Sequence, residues 1–239
     1  MVKPYQNKED SKKIQVKQMF DSISSEYDRL NRVISFGIDL KWRKKVVAMV
    51  HKLKPEKVLD VATGTGDLVL AMRKCGASKI VGLDLSPGML EIGVQKVEKS
   101  DAKDLIEMII GDSEKLDFPE NTFDVITVAF GVRNFENLEV GLAEIRRVLK
   151  TDGTLIILET SVPIRFPFKQ IYLFHSNYIL PLVGKLFSKD KSAYSYLGNS
   201  AQEFPYGEAL NNILVKIGFR NANAMPQTFG VATIYSATK

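Results

Sequence analysis

The sequence predicts an α/β fold built on a doubly wound, mostly parallel sheet of seven strands. Two observations support this prediction. From residue 57 onward, strand-like apolar runs alternate with helix-like segments, and a glycine-rich turn joins the first strand to the helix after it. Such alternation is typical of a parallel sheet with helices on both faces. A chain of 239 residues is long enough to bury that core within one domain.

The strands are predicted from runs of β-branched and apolar residues. Five of them alternate with helices and are expected at 57–62, 79–84, 106–111, 123–130 and 154–159, with helices at 67–75, 87–99 and 136–150. The pattern then closes with a helix at 207–217, which Gly218 ends, and with strands near 219–225 and 230–237.

Two segments stand outside this alternation. Residues 1–54 are predicted to be helical, and residues 161–205 contain no convincing strand but many aromatic residues. We expect 55–239 to form the main domain, with 1–54 and the insertion at 161–205 covering its binding site. The N-terminal helices are expected at 11–36, as one helix or two, and at 39–53, with Asp39 as the N-cap.

Composition indicates an ordinary globular protein with 45% hydrophobic residues. The single cysteine, Cys75, excludes an internal disulfide and fits a reducing compartment, so we expect a cytoplasmic protein. The chain begins with a polar segment that lacks the apolar core of a signal peptide. The two histidines are far apart and no Cys/His cluster occurs, so no metal site is expected.

Positive charge is concentrated at the N-terminus. Residues 1–54 contain 13 Lys and Arg against 6 Asp and Glu, within a chain of net charge +5. Such a segment can bind nucleic acid or an anionic membrane surface. The alternative is a solvated helix face, because apolar residues recur there at helical spacing.

The most specific motif is KVLDVATGTGD at 57–67, followed by KIVGLDLS at 79–86. The first strand ends near Asp60, a turn of small residues follows, and the second strand ends at Asp84, 20 residues after Gly64. This layout is typical of a nucleotide-like ligand lying across the carboxyl ends of two parallel strands. An ordinary glycine-rich turn between strand and helix is the alternative.

The spacing of the small residues distinguishes between nucleotide ligands. A dinucleotide fingerprint needs a third glycine, but the corresponding position is Val69 or Asp67, depending on the starting residue. The turn instead resembles motif I of S-adenosylmethionine-dependent methyltransferases. S-Adenosylmethionine carries no phosphate, so it needs no tight pyrophosphate cradle.

This resemblance implies a set of residues that bind the methyl donor. Asp84 would bind the ribose hydroxyls, Asp112 the adenine amino group, and Thr65 with the turn backbone the methionine part. For Met89, plain helix packing is the alternative to covering an adenine face. The implied donor-binding residues are Asp60, Ala62, Gly64, Thr65, Gly66, Asp84, Leu85, Met89, Asp112, Ser113 and Ala129.

A second motif, FGVRN at 130–134, follows the fourth strand. Arg133 at this strand end could stabilise a phenolate-like methyl acceptor. The alternatives are that Arg133 pairs with a surface acid and that Asn134 caps the helix at 136–150. Glu159 is also at a strand end of the crevice, without an assigned role.

Three longer strings resemble the ubiquinone/menaquinone-biosynthesis C-methyltransferase family. They are YDRLNRVISFGIDLKW at 27–42, LDFPENTFDVITVAFGVRN at 116–134 and RVLKTDGTLIILETS at 147–161, and the resemblance runs from about residue 15 to the end. The chain departs from the family pattern at a few positions, which leaves the acceptor identity more open than the donor. These are Leu30, Asp39, Ala129, Thr151-Asp152 and Thr160.

The resemblance implies a Rossmann-like fold and transfer of a methyl group to a ring carbon of a prenylated quinol. Because a quinol hydroxyl has a pKa near 10, the enzyme must favour loss of its proton. The implied catalytic residues are Arg133 as charge stabiliser and Tyr27, Asp28 or His175 as proton relay. For His175 the alternative is a packed helix residue.

The sequence also supports expectations about the methyl acceptor and the partners of the protein. The acceptor is expected to be demethylmenaquinol or a relative, with another phenolic or isoprenoid molecule as the second hypothesis. No nucleic-acid partner is expected, because no Pro-Pro-Tyr-type strand end for a flipped base follows the fourth strand. A binding protein without turnover is a further alternative. A homodimer and peripheral contact with a membrane surface are left open.

Overall fold

The computed structural model describes residues 2–5, 8–182 and 190–239, and a seven-stranded sheet lies at its centre. The predicted insertion at 161–205 therefore falls partly outside the described residues, at 183–189. The strands are β1 (Lys57–Val61), β2 (Lys79–Asp84), β3 (Ile106–Ile110), β4 (Phe123–Ala129), β5 (Leu149–Thr160), β6 (Arg220–Gln227) and β7 (Ala232–Thr238).

Helices connect these strands and precede them. The α-helices are α1 (Lys12–Ile34), α2 (Ile38–Leu53), α3 (Asp67–Met72), α4 (Pro87–Glu98), α5 (Leu138–Val148), α6 (Phe168–Phe174), α7 (Lys191–Glu203) and α8 (Glu208–Ile217). Short turns of other helical type lie at Val132–Asn134, His175–Ile179 and Thr228–Gly230.

The sheet has the strand order β3-β2-β1-β4-β5-β7-β6. Strands β1 to β5 are parallel, whereas β7 runs antiparallel to both β5 and β6. The predicted doubly wound, mostly parallel fold is therefore confirmed, with the helical insertion after the fifth strand. Strand β5 begins at Leu149, earlier than the predicted 154, because Leu149 already pairs with Phe123 of β4.

Alternate residues of each strand bury opposite faces of the sheet. In β1, Val58 packs with α2 and α3, while Leu59 and Val61 pack on the other face with α5 and α8. Burial on both faces explains the nearly continuous apolar runs from which the strands were predicted. The carboxyl ends of the parallel strands are left at one edge.

Helix α1 is one continuous helix, and it packs across this edge on a third apolar cluster. Its Met19 and Ile23 are buried beside Met89 of α4 and Tyr194 and Tyr196 of α7. The N-terminal helix and the insertion thus share a core that is separate from those beneath the sheet.

The predicted N-cap of α2 is wrong. The cap is Gly37, with a positive φ of 70° that glycine adopts without strain. Asp39 lies in the first turn instead, where its carboxylate accepts hydrogen bonds from Ser35 Oγ at 2.8 Å and from Arg32. The side chain therefore joins two helices.

No helix among the described residues is both long and apolar enough to cross a membrane.

Candidate active site

The turn after β1 has an unusual backbone. Ala62, Gly64 and Gly66 all have positive φ, of 54°, 59° and 78°. A Cβ added to Gly64 would meet no atom within 4 Å. The turn therefore presents bare backbone to open space, as close contact with a ligand requires.

Asp60 supports this turn from beneath. The carboxylate is 1% exposed and accepts hydrogen bonds from Thr63 Oγ1 at 2.7 Å and from Thr127 Oγ1 at 2.5 Å. Burial raises the pKa of Asp60 to about 6, although both hydroxyls act to lower it. Asp60 ties the turn to β4 and is not among the residues that line the cavity, and its predicted part in donor binding stays a prediction.

Asp84 ends β2 beside the same turn. Its Oδ2 accepts the Gly64 N–H at 2.7 Å, and its Oδ1 accepts the Ser86 N–H at 2.9 Å. Burial raises the pKa of Asp84, and these backbone donors partly offset that effect. The Leu85 N–H also donates to this carboxylate. A carboxylate has about four acceptor positions, so capacity remains for a ligand hydroxyl.

The third strand end contributes Asp112 and Ser113. Asp112 Oδ1 accepts the Glu114 N–H at 2.9 Å, and Oδ2 accepts from Lys13 Nζ at 2.8 Å. Lys13 belongs to α1 and also lies 3.3 Å from Glu114. The carboxylate predicted to bind the adenine amino group is thus already paired with a cation of the covering helix.

These strand ends and α1 enclose a cavity with about 680 Å³ of empty space, part of it open to solvent. Nine of the predicted site residues line it: Tyr27, Ala62, Gly64, Asp84, Leu85, Met89, Asp112, Ser113 and Ala129.

The polar groups and free space of this cavity suit the predicted methyl donor, S-adenosylmethionine. A carboxylate with spare lone pairs suits ribose hydroxyls, and the open space at Gly64 leaves room beside the turn. Met89, which is 1% exposed, lines the cavity and also belongs to the α1 core. Helix packing therefore applies, and the covering of an adenine face stays a prediction.

Thr65 and Gly66 belong to the turn but are not among the residues that line the cavity. The Thr65 hydroxyl donates to Asp28 Oδ1 of α1 at 2.6 Å, and Lys96 of α4 donates to Asp28, Thr65 and Asp67. The predicted relay residue Asp28 is therefore part of an ionic network that ties α1 to the glycine turn.

Arg133 follows β4 in the turn at Val132–Asn134 and forms a buried ion pair. Its Nη1 donates to Glu159 Oε1, and the two side chains are 8% and 0% exposed. Burial lowers the pKa of Arg133, but the charge and hydrogen bond of Glu159 together with Tyr27 and Tyr196 outweigh burial, so the pKa is raised. The alternative of a surface pair is thus wrong, because the partner is buried at the end of β5.

This ion pair retains unused hydrogen-bonding capacity. Among the described residues, Arg133 Nε and Glu159 Oε2 are buried without a hydrogen-bond partner. Buried polar atoms are normally paired, so such atoms point to a missing ligand or water. Sequence reasoning gave Glu159 no role; its place at a strand end of the crevice was the available signal.

Aromatic hydroxyls surround the pair. Burial raises the pKa of Tyr27, Tyr172 and Tyr196, and the Arg133 charge lowers it at all three. Tyr196 donates to Asn134 Oδ1 at 3.1 Å. Asn134 is therefore not the predicted cap of α5, a role that Asn137 takes.

Tyr27 and Asn134 also line the donor cavity, so the ion pair and the cavity are neighbours. His175 is set apart from both. It begins the turn after α6 and lies against Phe36, with ring centroids 6.3 Å apart. Burial lowers the pKa of His175, and a hydrogen bond to the Ile34 backbone raises it.

The sheet order and the cavity across its carboxyl edge are typical of α/β proteins that bind a nucleotide-like ligand at the turn after the first strand. A solved structure described as an S-adenosylmethionine-dependent methyltransferase from Aquifex aeolicus shares this fold. Its TM-score is 0.57 at 20% identity, covering 82% of this chain and 88% of the other.

A family model described as the ubiE/COQ5 methyltransferase family matches residues 7–239. Demethylmenaquinone methyltransferase of Bacteroides fragilis is 46% identical over 239 residues, covering all of this chain and 97% of the relative. The ubiquinone/menaquinone biosynthesis C-methyltransferase UbiE of Geobacter sulfurreducens is 43% identical over 226 residues, covering 94% and 88%. This chain belongs to the ubiE/COQ5 methyltransferase family, which confirms the resemblance.

Proposed function

We propose that this protein transfers a methyl group from S-adenosylmethionine to a ring carbon of a prenylated quinol, with demethylmenaquinol as the acceptor. One observation carries the proposal: the cavity at the glycine turn adjoins a buried Arg133–Glu159 pair with unused hydrogen-bonding atoms. The names of the relatives from Bacteroides fragilis and Geobacter sulfurreducens support the acceptor class.

The donor half of the site is the cavity at the strand ends. S-Adenosylmethionine supplies a methyl group already activated by its sulfonium charge. Asp84 would hold both ribose hydroxyls through its free lone pairs, and Asp112 with Ser113 would hold the adenine edge. Bare backbone at Gly64 would accommodate the methionine part.

The acceptor half lies beside Arg133. A quinol carbon becomes nucleophilic when the neighbouring hydroxyl loses its proton, because the phenolate places charge on the ortho carbon. Arg133 Nε would donate to this oxygen and stabilise its charge. Glu159 keeps Arg133 charged and oriented, and its free Oε2 would accept from a second hydroxyl of the ring.

The methyl–sulfur bond would break as the new carbon–carbon bond forms, leaving S-adenosylhomocysteine, and the methylated ring carbon would then lose its own hydrogen as a proton to restore the aromatic ring. Groups near the quinol oxygen would accept these protons. Tyr27 lines the cavity and is near enough to Arg133 for that charge to act on its hydroxyl, which suits Tyr27 to a proton relay. Asp28 and His175 remain candidates in the proposal, although they lie in an ionic network and against Phe36. Half-buried aromatic rings would exclude water and accommodate a flat acceptor.

The remaining predictions belong to the same proposal. The protein would act in the cytoplasm without a metal or a nucleic-acid partner, with the homodimer left open. The segment 1–54 and the insertion at 161–205 would cover the acceptor site. Another phenolic or isoprenoid acceptor is the second candidate, since Asp39, Ala129 and Thr160 depart from the family pattern.

Incubation with methyl-labelled donor and a panel of demethylated quinols, simple phenols and RNA tests the proposal. We expect label on a ring carbon of the quinol, located by mass spectrometry and NMR of the product. An Asp84→Ala variant should transfer no label, which controls for contaminating enzymes. Label found only in RNA, or on a quinol oxygen, would overturn the proposal.

A further inference from the structure

A face of large apolar side chains is exposed beside the insertion. Its members are 59–80% exposed. Single apolar residues are common on protein surfaces, whereas a contiguous exposed patch of them marks an interaction site. We call it the apolar face, and it consists of Phe36, Phe166, Ile171, Phe174, Tyr178 and Phe229.

Three separate chain segments meet in this face. Phe36, between α1 and α2, lies against His175, and Phe174 lies 5.3 Å from Tyr178 between ring centroids. Phe229, in the turn before β7, stacks on Phe168 of α6 with centroids 3.8 Å apart. The exposed residues therefore form one continuous surface.

The charges around the apolar face are almost all positive. Residues 160–182 and 209–239 contain no acidic residue, and Asp39, the one acid within 29–53, is buried against Arg32. Arg165, Lys169 and Lys41 are exposed beside the apolar residues. An apolar surface with a cationic border complements an anionic lipid surface.

Helix α6 links this face to the acceptor half of the site. Its Ile171 and Phe174 point to solvent, whereas Tyr172 lies near enough to Arg133 and Glu159 for their charges to act on it. One short helix thus separates the buried ion pair from the exposed surface.

We propose that the apolar face docks on an anionic phospholipid bilayer, with aromatic side chains among the headgroups and Arg165, Lys169 and Lys41 against lipid phosphates. This inference deepens the proposed function and rests on it, because docking would give the enzyme access to a prenylated acceptor that resides in the bilayer. The α6 side of the site would then face the membrane from which the acceptor arrives.

Cosedimentation of the full chain with vesicles tests the docking. The wild type should bind vesicles of mixed phosphatidylcholine and phosphatidylglycerol and lose affinity as salt rises. The variant Phe166→Ser/Phe174→Ser/Tyr178→Ser should bind roughly 100-fold more weakly, because insertion scales with buried apolar area. A matched control, Val140→Ser/Val215→Ser, removes exposed apolar residues from α5 and α8 and should bind as the wild type does.

Charge reversal separates the two contributions. Arg165→Glu/Lys169→Glu should weaken binding to anionic vesicles by roughly tenfold or more, and have no such effect on pure phosphatidylcholine. Lys74→Glu, at an exposed position after α3, is the matched control. Wild type that stays in the supernatant with anionic vesicles would overturn the proposal, as would a triple serine variant that still binds fully.

A second copy of the chain is the competing occupant. If sedimentation velocity shows that the wild type is a dimer and the triple serine variant is a monomer, the apolar face serves self-association and the proposal is overturned. A soluble demethylated quinol without a prenyl chain separates docking from chemistry. We expect the triple variant to methylate this soluble quinol at the wild-type rate. If neither protein methylates it while the wild type still binds vesicles, only the proposed function is refuted.

Discussion

The Gly64 backbone N–H donates to the Asp84 carboxylate at 2.7 Å, across the gap between β1 and β2. This hydrogen bond holds the glycine turn and the acid of the neighbouring strand end in a fixed relation. Since the turn and the acid line the same cavity, the bond places the backbone and a charged acceptor within reach of one ligand.

Replacing Asp84 tests the assignment of the donor cavity. Asp84→Ala removes two charge-assisted hydrogen bonds to the ligand, so S-adenosylmethionine affinity should fall by roughly 100-fold or more. Isothermal titration calorimetry measures the loss. Asp101→Ala, an exposed acid after α4, should leave affinity unchanged. An unaltered affinity in Asp84→Ala, or tighter binding of NAD to the wild type, would contradict the assignment.

Arg133 should affect turnover more than donor binding. Removing it alone would leave Glu159 buried and uncompensated, at a cost of about 3–5 kcal/mol in stability. The informative variant is therefore Arg133→Gln/Glu159→Gln, which replaces both buried charges with neutral amides that can still form hydrogen bonds. We expect the turnover number to fall roughly 100- to 1,000-fold with donor affinity within about threefold. Equal losses in both quantities would refute the role.

Lys13 should oppose donor binding slightly. Its ammonium occupies Asp112 Oδ2, which the adenine amino group is proposed to use. A partly exposed ion pair is worth about 0.2–1 kcal/mol, so Lys13→Ala should raise donor affinity by roughly 1.5- to 5-fold. Calorimetry at low salt measures it, with Lys17→Ala of the same helix as control. A loss of affinity would instead make Lys13 part of the donor site.

Stability should depend on pH through Asp60. Its pKa of about 6 in the folded protein is above the value near 3.9 of an unfolded chain. The folded state therefore binds the proton more tightly, and this group's contribution is largest below pH 4 and is lost as the pH rises to 6. The loss is roughly 3 kcal/mol.

Urea denaturation of wild type and Asp60→Asn between pH 4 and 7 measures this contribution. Asp60→Asn lacks the titrating group. The difference between its free energy of unfolding and that of the wild type should therefore change in favour of the variant as the pH rises. In Thr127→Val a hydroxyl that lowers the pKa of Asp60 is absent, and the transition should move to higher pH. Parallel profiles for all three proteins would contradict the expectation.

Much of the donor site could be predicted because its signals are local. The turn at 62–66 is a consecutive run of small residues, and Asp84 ends a recognisable strand. Parallel strands place their carboxyl ends at one edge, so the sequence order alone brings these residues together. Thr65 was predicted in this turn and Asp60 near the end of the strand before it, but the direction of both side chains depends on partners from α1 and β4.

The pairings between residues distant in sequence could not be predicted in the same way. Glu159 is 26 residues from Arg133, and Lys13 is 99 residues from Asp112, so neither pairing has a local signature. Each depends on how a helix or strand end packs against another. Asp39 shows the same limit, because its pairing with Arg32 replaced the capping role that its local position suggested.

The sequence by itself determined the alternating strands and helices, the glycine turn and the acids that end β2 and β3, because periodicity and residue type act over a few neighbouring positions. Only the tertiary structure decided that Lys13 of α1 pairs with Asp112, that Arg133 is paired inside the protein, and that the apolar face is exposed. These outcomes follow from packing between distant segments, where burial selects one arrangement among many that the local pattern allows.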